Sequence, residues 1–271
     1  MKPPVLAFIG GGNMAGAILG GLLKSGRAAD SILVVDPGDA QRAKLQADFG
    51  VRTFAAADAA LAEAAMVVWA VKPQFFHAAA APCAAHVGRA VHLSVMAGIR
   101  SEAIARATGA ARIVRSMPNT PALIGQGIAG LYARAAVTTE DRADVEAVLA
   151  PTGRTLWVAH EEDLDAVTAL SGSGPAYVFY FIEAMMQAAR EMGLSDAQGK
   201  ALALATFAGA TSLAEASEET PAVLRERVTS KGGTTQAALG SLDASGVKAA
   251  FVTAMHAARR RARELGDEFG A

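Results

Sequence analysis

The 271-residue sequence contains one cysteine, Cys83, and few aromatic residues, 6% of the total. A single cysteine excludes an intrachain disulfide, so nothing here requires an oxidising compartment. We interpret Cys83 as a small apolar helix residue. The histidines lack metal-ligand spacing, so we predict no metal site and interpret each as a surface or satisfied helix residue; they are His77, His86, His92, His160 and His256.

The sequence also lacks an excess of charge of either sign. Its 25 Lys and Arg against 26 Asp and Glu give a formal net charge of −1, so no basic field favours nucleic acid. The most apolar helical stretch, residues 176–186, falls short of the roughly 20 apolar residues of a membrane span. Residues 1–4 lead into a strand with no apolar signal region. We expect a cytoplasmic protein with no nucleic-acid and no membrane partner.

What the sequence does contain is a glycine-rich turn, Gly10-Gly11-Gly12-Asn13-Met14, directly after the apolar run 5–9. Glycines at the first and third positions let the backbone turn tightly and approach a pyrophosphate closely. A following helix would point its unpaired N–H groups at the phosphates. Asp36 ends a second apolar run about 20 residues later, where dinucleotide sites carry an acidic residue. The turn therefore predicts a dinucleotide site.

Strand and helix patterns alternate over the first half of the chain, which predicts a doubly wound α/β domain with a parallel sheet. Predicted strands are 5–9, 32–35, 66–71, 91–95, 113–117, 127–132 and 155–158; predicted helices are 14–23, 40–49, 57–64, 75–85, 102–107 and 140–150. After about residue 160 only helices are predicted: 164–170, 175–192, 196–215, 221–228, 236–241 and 247–268. We expect a Rossmann-like dinucleotide-binding domain at 1–160 and an all-α substrate and dimerisation domain at 161–271.

The predicted helix at 175–192 is apolar nearly all round, more than one small helical domain could cover. We therefore predict a homodimer that shares these helices. Acidic residues Glu161-Glu162-Asp163 precede the helical region, and we interpret them as the first turn of a helix.

Three segments follow predicted strands of the sheet: Ala70-Val71-Lys72-Pro73, Ser94-Val95-Met96-Ala97-Gly98 and Met117-Pro118-Asn119-Thr120-Pro121. Ligands of such sheets bind outside the carboxyl ends of the strands, so these segments could line one crevice. In the helical half, Ser171-Gly172-Ser173-Gly174-Pro175 and Thr229-Ser230-Lys231-Gly232-Gly233-Thr234-Thr235 each lead into a predicted helix. Free N–H groups and hydroxyls there suit a small carboxylate; the alternative is that both are hinge-and-cap segments.

These motifs, in this order and spacing, resemble pyrroline-5-carboxylate reductase along nearly the whole chain. The resemblance implies reduction of L-1-pyrroline-5-carboxylate to L-proline by NADH or NADPH, in a dimer or a ring of dimers. It places catalysis at Thr235 and Ser230, with Thr235 close to the ring nitrogen. It implies that the substrate carboxylate is held by Ser230, Gly232, Gly233, Thr234 and Thr235. It also implies a cofactor site formed by Gly10, Gly11, Gly12, Asn13, Met14, Asp36, Ala70, Val71, Lys72, Pro73, Ala97, Gly98 and Asn119.

Two residues depart from the family pattern. Lys231 stands where many members carry proline. Asp36 stands where relatives often carry serine, asparagine or arginine, and Asp39 adds a second acid nearby. A carboxylate there accepts hydrogen bonds from the ribose hydroxyls of NADH and repels a 2′-phosphate, and Arg42 is the only basic side chain near it on the predicted helix 40–49. The residues therefore favour NADH or dual use, against NADPH as the family expectation.

Two other functions stay open from the sequence. One is a related imine or β-hydroxyacid reductase, which would need its own general acid in the helical domain, where no lysine or tyrosine motif is plainly placed. The other is a non-catalytic dinucleotide sensor, which would leave the segment 229–235 unexplained. Turnover of pyrroline-5-carboxylate, compared with that of a hydroxyacid in reverse, separates all three.

Overall fold

The computed structural model describes residues 3–269. Met1 and Lys2, part of the N-terminal segment used to predict localisation, lie outside the described residues. In the described part of the chain, eight strands form one sheet in the order β3-β2-β1-β4-β5-β6-β7-β8. They are β1 (Val5–Ile9), β2 (Ile32–Val35), β3 (Arg52–Phe54), β4 (Ala64–Trp69), β5 (Val91–Ser94), β6 (Ile113–Met117), β7 (Gly127–Ala133) and β8 (Gly153–Trp157).

Eleven α-helices accompany the sheet within residues 3–269. They are α1 (Asn13–Lys24), α2 (Asp39–Phe49), α3 (Phe76–Val87), α4 (Ser101–Thr108), α5 (Thr139–Leu149), α6 (Asp163–Val167), α7 (Gly174–Glu191), α8 (Asp196–Ala216), α9 (Pro221–Arg227), α10 (Thr234–Ala244) and α11 (Val247–Phe269). None of these helices is long and apolar enough to cross a membrane.

Alternation along the central strand divides the hydrophobic core into two layers. Leu6 and Phe8 of β1 pack into one cluster with α1, α2 and α5, whereas Ala7 and Ile9 pack into the other with α3 and α4. Successive side chains of a strand point to opposite faces, so helices cover both faces of the sheet. The continuous apolar runs of β1, β2 and β4 are the pattern that such two-sided burial requires.

The sheet is parallel, as predicted, except at one pair of strands. Strands β1 to β6 pair in parallel, but β7 runs antiparallel to β6. The connection between them contains only a short 3-10 turn, Thr120–Ile124, and a parallel connection needs a crossover of a dozen or more residues. The segment that begins with Met117-Pro118-Asn119-Thr120-Pro121 therefore reverses the direction of the chain.

Strand β3 and the element that follows it differ from the prediction. Strand β3 was not predicted, because three residues that are all half-buried give no recognisable alternation. The helix predicted at 57–64 is a 3-10 helix at Ala59–Glu63, capped by the Asp58 carboxylate, which accepts a hydrogen bond from Ala60 N at 2.8 Å. The alanine content of this segment therefore led to the prediction of a helix longer than the one observed.

The described chain divides into two compact units, one formed by residues up to Ser173 with those from Ala258 onward, the other by Gly174–Ala257. In the second unit, α7 and α8 approach closely: a Cβ on Gly199 would lie 2.9 Å from Ala189 Cβ. Tyr177 of α7 makes an edge contact with Phe251 of α11 at 5.9 Å between ring centroids. Many large apolar side chains of this unit stay exposed, among them Val178, Phe179, Tyr180, Leu202, Leu204 and Leu213.

Candidate active site

The glycine-rich turn directly follows β1, and its first glycine is required by the fold. Gly10 has a φ of 94°, a region that side-chain-bearing residues rarely adopt. A Cβ there would lie 2.8 Å from Ala70 O and 2.9 Å from Val71 Cγ1. The N–H of Gly10 donates to Val35 O at 2.8 Å, so the turn is fixed to both neighbouring strands.

The third glycine stands under no such constraint. Gly12 is the N-cap of α1, with an ordinary φ of −68° and no side-chain cap hydrogen bond. No protein atom lies within 4 Å of the position that its Cβ would take. The space beside Gly12 and the uncapped N–H groups of the α1 N-terminus together fit a pyrophosphate. Asn13 and Met14 are the first two residues of α1.

A cavity of about 510 Å³ opens beside this turn. Its walls come from the segments that follow β1, β2, β3 and β4 and from one side of α3. The strand order reverses between β1 and β4, and that is where ligands of doubly wound sheets bind. The lining residues are Ile9, Gly10, Gly11, Gly12, Val35, Asp36, Pro37, Ala55, Ala56, Ala57, Ala70, Val71, Lys72, Phe75, Ala78, Ala79, Pro82 and Cys83.

Asp36 holds the glycine turn from the end of β2. Its Oδ2 accepts a hydrogen bond from Gly11 N at 2.9 Å and its Oδ1 accepts one from Gly38 N at 2.9 Å. Arg42 is occupied elsewhere, since its guanidinium pairs with the Asp39 carboxylate and donates to the backbone carbonyl of Asp36 at 2.7 Å. The carboxylate in the cavity wall is therefore not neutralised by the nearest basic side chain.

Cys83 lies on the α3 side of the cavity and is buried. Burial raises the pKa of its thiol to about 11, so the thiolate needed for nucleophilic chemistry is scarce near neutral pH. Its placement in α3 confirms the interpretation as a small apolar helix residue. Within residues 3–269 no group of three or more His, Cys, Asp or Glu side chains could hold a metal ion.

The other predicted cofactor residues follow the carboxyl ends of three adjacent parallel strands. Strand β4 ends at Trp69, two residues earlier than predicted, so Ala70 and Val71 belong to the connection, and Lys72 and Pro73 begin a 3-10 turn. Ala97 and Gly98 follow β5, and Asn119 follows β6. Asn119 Oδ1 accepts a hydrogen bond from Ile128 N at 3.0 Å, which fixes the side chain. The structure thus brings these segments to one edge of the sheet.

The predicted substrate residues lie in the second unit, in the loop after α9 and in the first turn of α10. The N–H of Gly233 donates to Ser230 O at 3.0 Å, and the N–H of Gly232 donates to Gln236 Oε1 at 2.5 Å. A Cβ on Gly233 would lie 2.6 Å from Ser230 Oγ, so glycine brings that hydroxyl close to the backbone. Ser230, Lys231 and Thr234 are exposed and Thr235 is half-buried.

Because the N-cap of α10 is Gly233, no side chain caps this helix. The first N–H groups of an α-helix have no partner within the helix. Those of Thr234, Thr235 and Gln236 are therefore available, beside the hydroxyls of Ser230 and Thr235. The arrangement can bind a small carboxylate through charge-assisted hydrogen bonds.

Two polar clusters of the first unit were not predicted from the sequence. His92, interpreted as a surface or helix residue, is fully buried in β5; this interpretation was wrong. Its Nδ1 accepts from Trp69 Nε1 at 3.0 Å, and its Nε2 donates to Val87 O at 2.9 Å. An indole N–H can only donate and a carbonyl can only accept, so these partners fix the neutral imidazole. Burial, the largest cause, lowers the pKa of His92.

The second cluster surrounds Glu161. Instead of occupying a first helical turn, Glu161 precedes α6 and accepts hydrogen bonds from Ser101 N and Ser101 Oγ, both at 2.6 Å. It also pairs with Arg115 Nη1 at 2.9 Å. Burial opposes ionisation of Glu161, but the hydrogen bonds from Ser101 and the charge of Arg115 outweigh it and hold its pKa below the usual range.

Comparison with known proteins places the chain in a family. Residues 161–265 match the family model for pyrroline-5-carboxylate reductase dimerisation, and residues 5–98 match that for NADP oxidoreductase, coenzyme F420-dependent. The pyrroline-5-carboxylate reductase of Pseudomonas aeruginosa is 42% identical over 272 residues, with 100% of both chains covered.

Solved structures agree with the sequence relatives. The chain is similar to a pyrroline-5-carboxylate reductase from Coxiella burnetii, with a TM-score of 0.91, 33% identity and coverage of 98% of this chain and 99% of that one. The Plasmodium falciparum pyrroline carboxylate reductase, solved with NADP bound, has a TM-score of 0.87 at 26% identity, with coverage of 98% and 99%. Identity of 42% over the full length, together with the dinucleotide turn, shows that the chain belongs to the pyrroline-5-carboxylate reductase family.

Proposed function

We propose that this chain reduces L-1-pyrroline-5-carboxylate to L-proline with a hydride from NADH or NADPH, as the last step of proline biosynthesis in the cytoplasm. The observation that carries the proposal is the full-length match to a relative of that name. The open space beside Gly12 in the cavity wall supports the use of a dinucleotide. The dinucleotide, when bound, supplies the hydride from its nicotinamide ring.

The protein groups have three tasks in this reaction. The cofactor residues after β1, β2, β4, β5 and β6 hold the dinucleotide, with Asp36 toward the ribose of its adenosine half, and Ala97, Gly98 and Asn119 toward the nicotinamide. Ser230, the N–H groups of Thr234 and Thr235, and the Thr235 hydroxyl hold the substrate carboxylate. The N–H groups of Gly232 and Gly233 already donate to Gln236 Oε1 and Ser230 O, so we assign these two glycines to the shape of the loop and not to direct contact with the carboxylate.

The third task is to orient the ring nitrogen, and we assign it to Thr235. A protonated cyclic imine is already an electrophile, so positioning beside the hydride donor provides most of the rate enhancement. A hydroxyl is sufficient for this purpose. The absence of a strongly acidic group from the sequence segment 229–235 is compatible with such chemistry.

Replacement of Thr235 by alanine tests the assignment, with Thr235→Ser as the matched control that keeps the hydroxyl. A hydrogen bond to a charged group contributes about 1.5–3 kcal/mol, so Thr235→Ala should lower kcat/KM for the imine roughly tenfold to a hundredfold. Thr235→Ser should recover most of this loss, and cofactor affinity should be unchanged in both. An equal loss of cofactor affinity would remove Thr235 from the substrate site. Reduction of NAD(P)+ by a hydroxyacid, with no oxidation of NAD(P)H by the imine, would favour the related reductase.

We also propose that the chain forms a homodimer through its helical region and that the helical domain begins at residue 161, the start of the dimerisation match, although residues 161–173 pack with the first compact unit. The match of residues 161–265 to a dimerisation model supports both statements. So do the exposed apolar side chains of α7 and α8, because monomers rarely leave contiguous apolar patches in water. Sedimentation as a monomer at low micromolar concentration would refute the dimer.

A further inference from the structure

The loop between β5 and α4 carries Ala97 and Gly98, which we assigned to the nicotinamide. Val95 N donates to Trp69 O at 3.0 Å and Met96 N donates to Ser94 Oγ at 3.3 Å. Within residues 3–269, the N–H groups of Ala97 and Gly98 have no backbone hydrogen-bond partner. The positions of Ala97 and Gly98 therefore depend on the contacts made by the residues on either side of them.

On the α4 side, the loop is held by Glu161. Ser101 is the first residue of α4, and Glu161 binds both its N–H and its hydroxyl at 2.6 Å. Arg115 Nη1 of β6 donates at 2.9 Å to Glu161 Oε1, the oxygen that also accepts from Ser101 N. Glu161 thus ties the end of the loop, three residues after Gly98, to the neighbouring strand of the sheet.

Two further contacts surround the same loop. Arg100 Nη2 lies 3.4 Å from Asp165 Oδ2 of α6. The φ of Gly98 is 75°, and a Cβ there would lie 3.1 Å from Leu265 O of α11. Because the loop packs closely against helices on two sides, a shift of its α4 end is transmitted to Ala97 and Gly98 and is not absorbed locally.

The Glu161 contact is the strongest of these supports. The side chains of Arg115 and Glu161 are 6% and 14% exposed, so their charges are poorly screened. When one partner of a buried pair is neutralised, the other is left in the interior with its charge uncompensated. The α4 N-terminus would lose its carboxylate acceptor at the same time.

We propose that Glu161 is a positioning residue for hydride transfer: through Ser101 it sets the location of Ala97 and Gly98, and through them the location of the nicotinamide. The inference rests on the proposed function, since it requires these two residues to lie beside that ring. We assign Glu161 no direct contact with substrate or cofactor. Small displacements of a reacting group are costly because transfer needs a near-attack geometry.

Steady-state kinetics of full-length Glu161→Gln, with Glu102→Gln as the matched control, test the proposal. Glu102 follows Ser101 in the first turn of α4 and pairs with Arg134 at 2.8 Å, but the Glu102 side chain is 60% exposed. We expect Glu161→Gln to lower kcat about tenfold or more, with KM for the imine within about twofold. Ser101→Ala, which keeps the backbone N–H, should show a smaller loss in the same direction. Glu102→Gln should behave as wild type.

The decisive measurement is the primary isotope effect with NAD(P)H deuterated at the transferred position. A misplaced nicotinamide makes hydride transfer more rate-limiting, so the isotope effect on kcat should rise in Glu161→Gln above the wild-type value. Partial unfolding alone would lower kcat and the melting temperature but leave the isotope effect and KM unchanged. That result would overturn the inference while wild-type turnover of the imine still upheld the proposed function; failure of wild-type turnover would refute the proposed function itself.

Discussion

Alanine substitutions in the glycine turn should separate glycines required by the fold from a glycine required by the cofactor. Gly10→Ala places a side chain at a φ of 94° and within 2.9 Å of Val71 Cγ1. The left-handed conformation costs about 1–2 kcal/mol, and overpacking adds about 1–3 kcal/mol. The free energy of unfolding should therefore fall by about 2–5 kcal/mol, or roughly 5–20 °C in melting temperature.

Gly12→Ala should have the opposite effect, with little loss of folding stability but weaker binding of the cofactor. Its φ of −68° suits alanine, and no protein atom lies within 4 Å of the new Cβ. Loss of the glycine N-cap should cost at most about 1 kcal/mol. In the complex, however, the methyl group would occupy space that a pyrophosphate needs. An overpacking cost of about 1–3 kcal/mol there corresponds to a dissociation constant for the dinucleotide raised at least about fivefold.

Gly16→Ala, one helical turn later, is the matched control. A Cβ at Gly16 also meets no protein atom within 4 Å, but Gly16 does not line the cavity. Alanine inside a helix is more favourable than glycine by about 0.5–1 kcal/mol, so this variant should be slightly more stable and bind cofactor normally. Thermal unfolding of the apo proteins and fluorescence titration with NADH and NADPH provide both quantities. Unchanged cofactor affinity in Gly12→Ala would show that the pyrophosphate does not pass over Gly12.

Two further predictions concern titratable side chains. Asp36→Asn removes a negative charge that would face a 2′-phosphate, and unit charges 4 Å apart interact by about 4 kcal/mol at an effective dielectric constant of 20. Because solvent screens part of this interaction, we expect the ratio of kcat/KM for NADPH to that for NADH to rise at least about tenfold in this variant. A strong preference of the wild type for NADPH would contradict the role of Asp36. His92 has a pKa below 6.5 in the folded state, so between that value and 6.5 the unfolded chain binds more protons and stability falls as pH falls, by at most about 1.4 kcal/mol per pH unit. Urea unfolding at pH 5.5 and 7.5 should show this loss in wild type and a smaller one in His92→Asn; equal losses would show that His92 does not titrate as described.

Apolar runs of four or five residues were enough to predict the inner strands. The predicted bounds of β1, β2 and β6 are those observed, because strands buried on both faces carry continuous apolar residues. The antiparallel β7 could not be inferred from its own residues, since Gly127–Ala133 has the same apolar character in either direction. The information lies in the length of the connection after Met117, which is too short for a parallel crossover.

The polar residues that were misinterpreted lie far in sequence from their partners. Glu161 binds residues 46 and 60 positions earlier in the chain, and no local pattern distinguishes it from Glu162. His92 gave a usable signal, because a histidine between the buried Val91 and Leu93 of a central strand needs internal partners. Its assignment to a surface or helix ignored that strand context.

The sequence pattern of the glycine turn also does not distinguish the separate roles of Gly10 and Gly12. As letters in a dinucleotide pattern, Gly10 and Gly12 carry equal weight, and both were assigned to the cofactor. In the folded chain, Gly10 is confined by Ala70 and Val71 whether or not a ligand binds, whereas Gly12 faces empty space. A glycine with ordinary φ and no neighbour has no reason within this chain to lack a side chain. Its presence beside a cavity and a helix N-terminus is therefore a more specific indication of a phosphate ligand than the pattern itself.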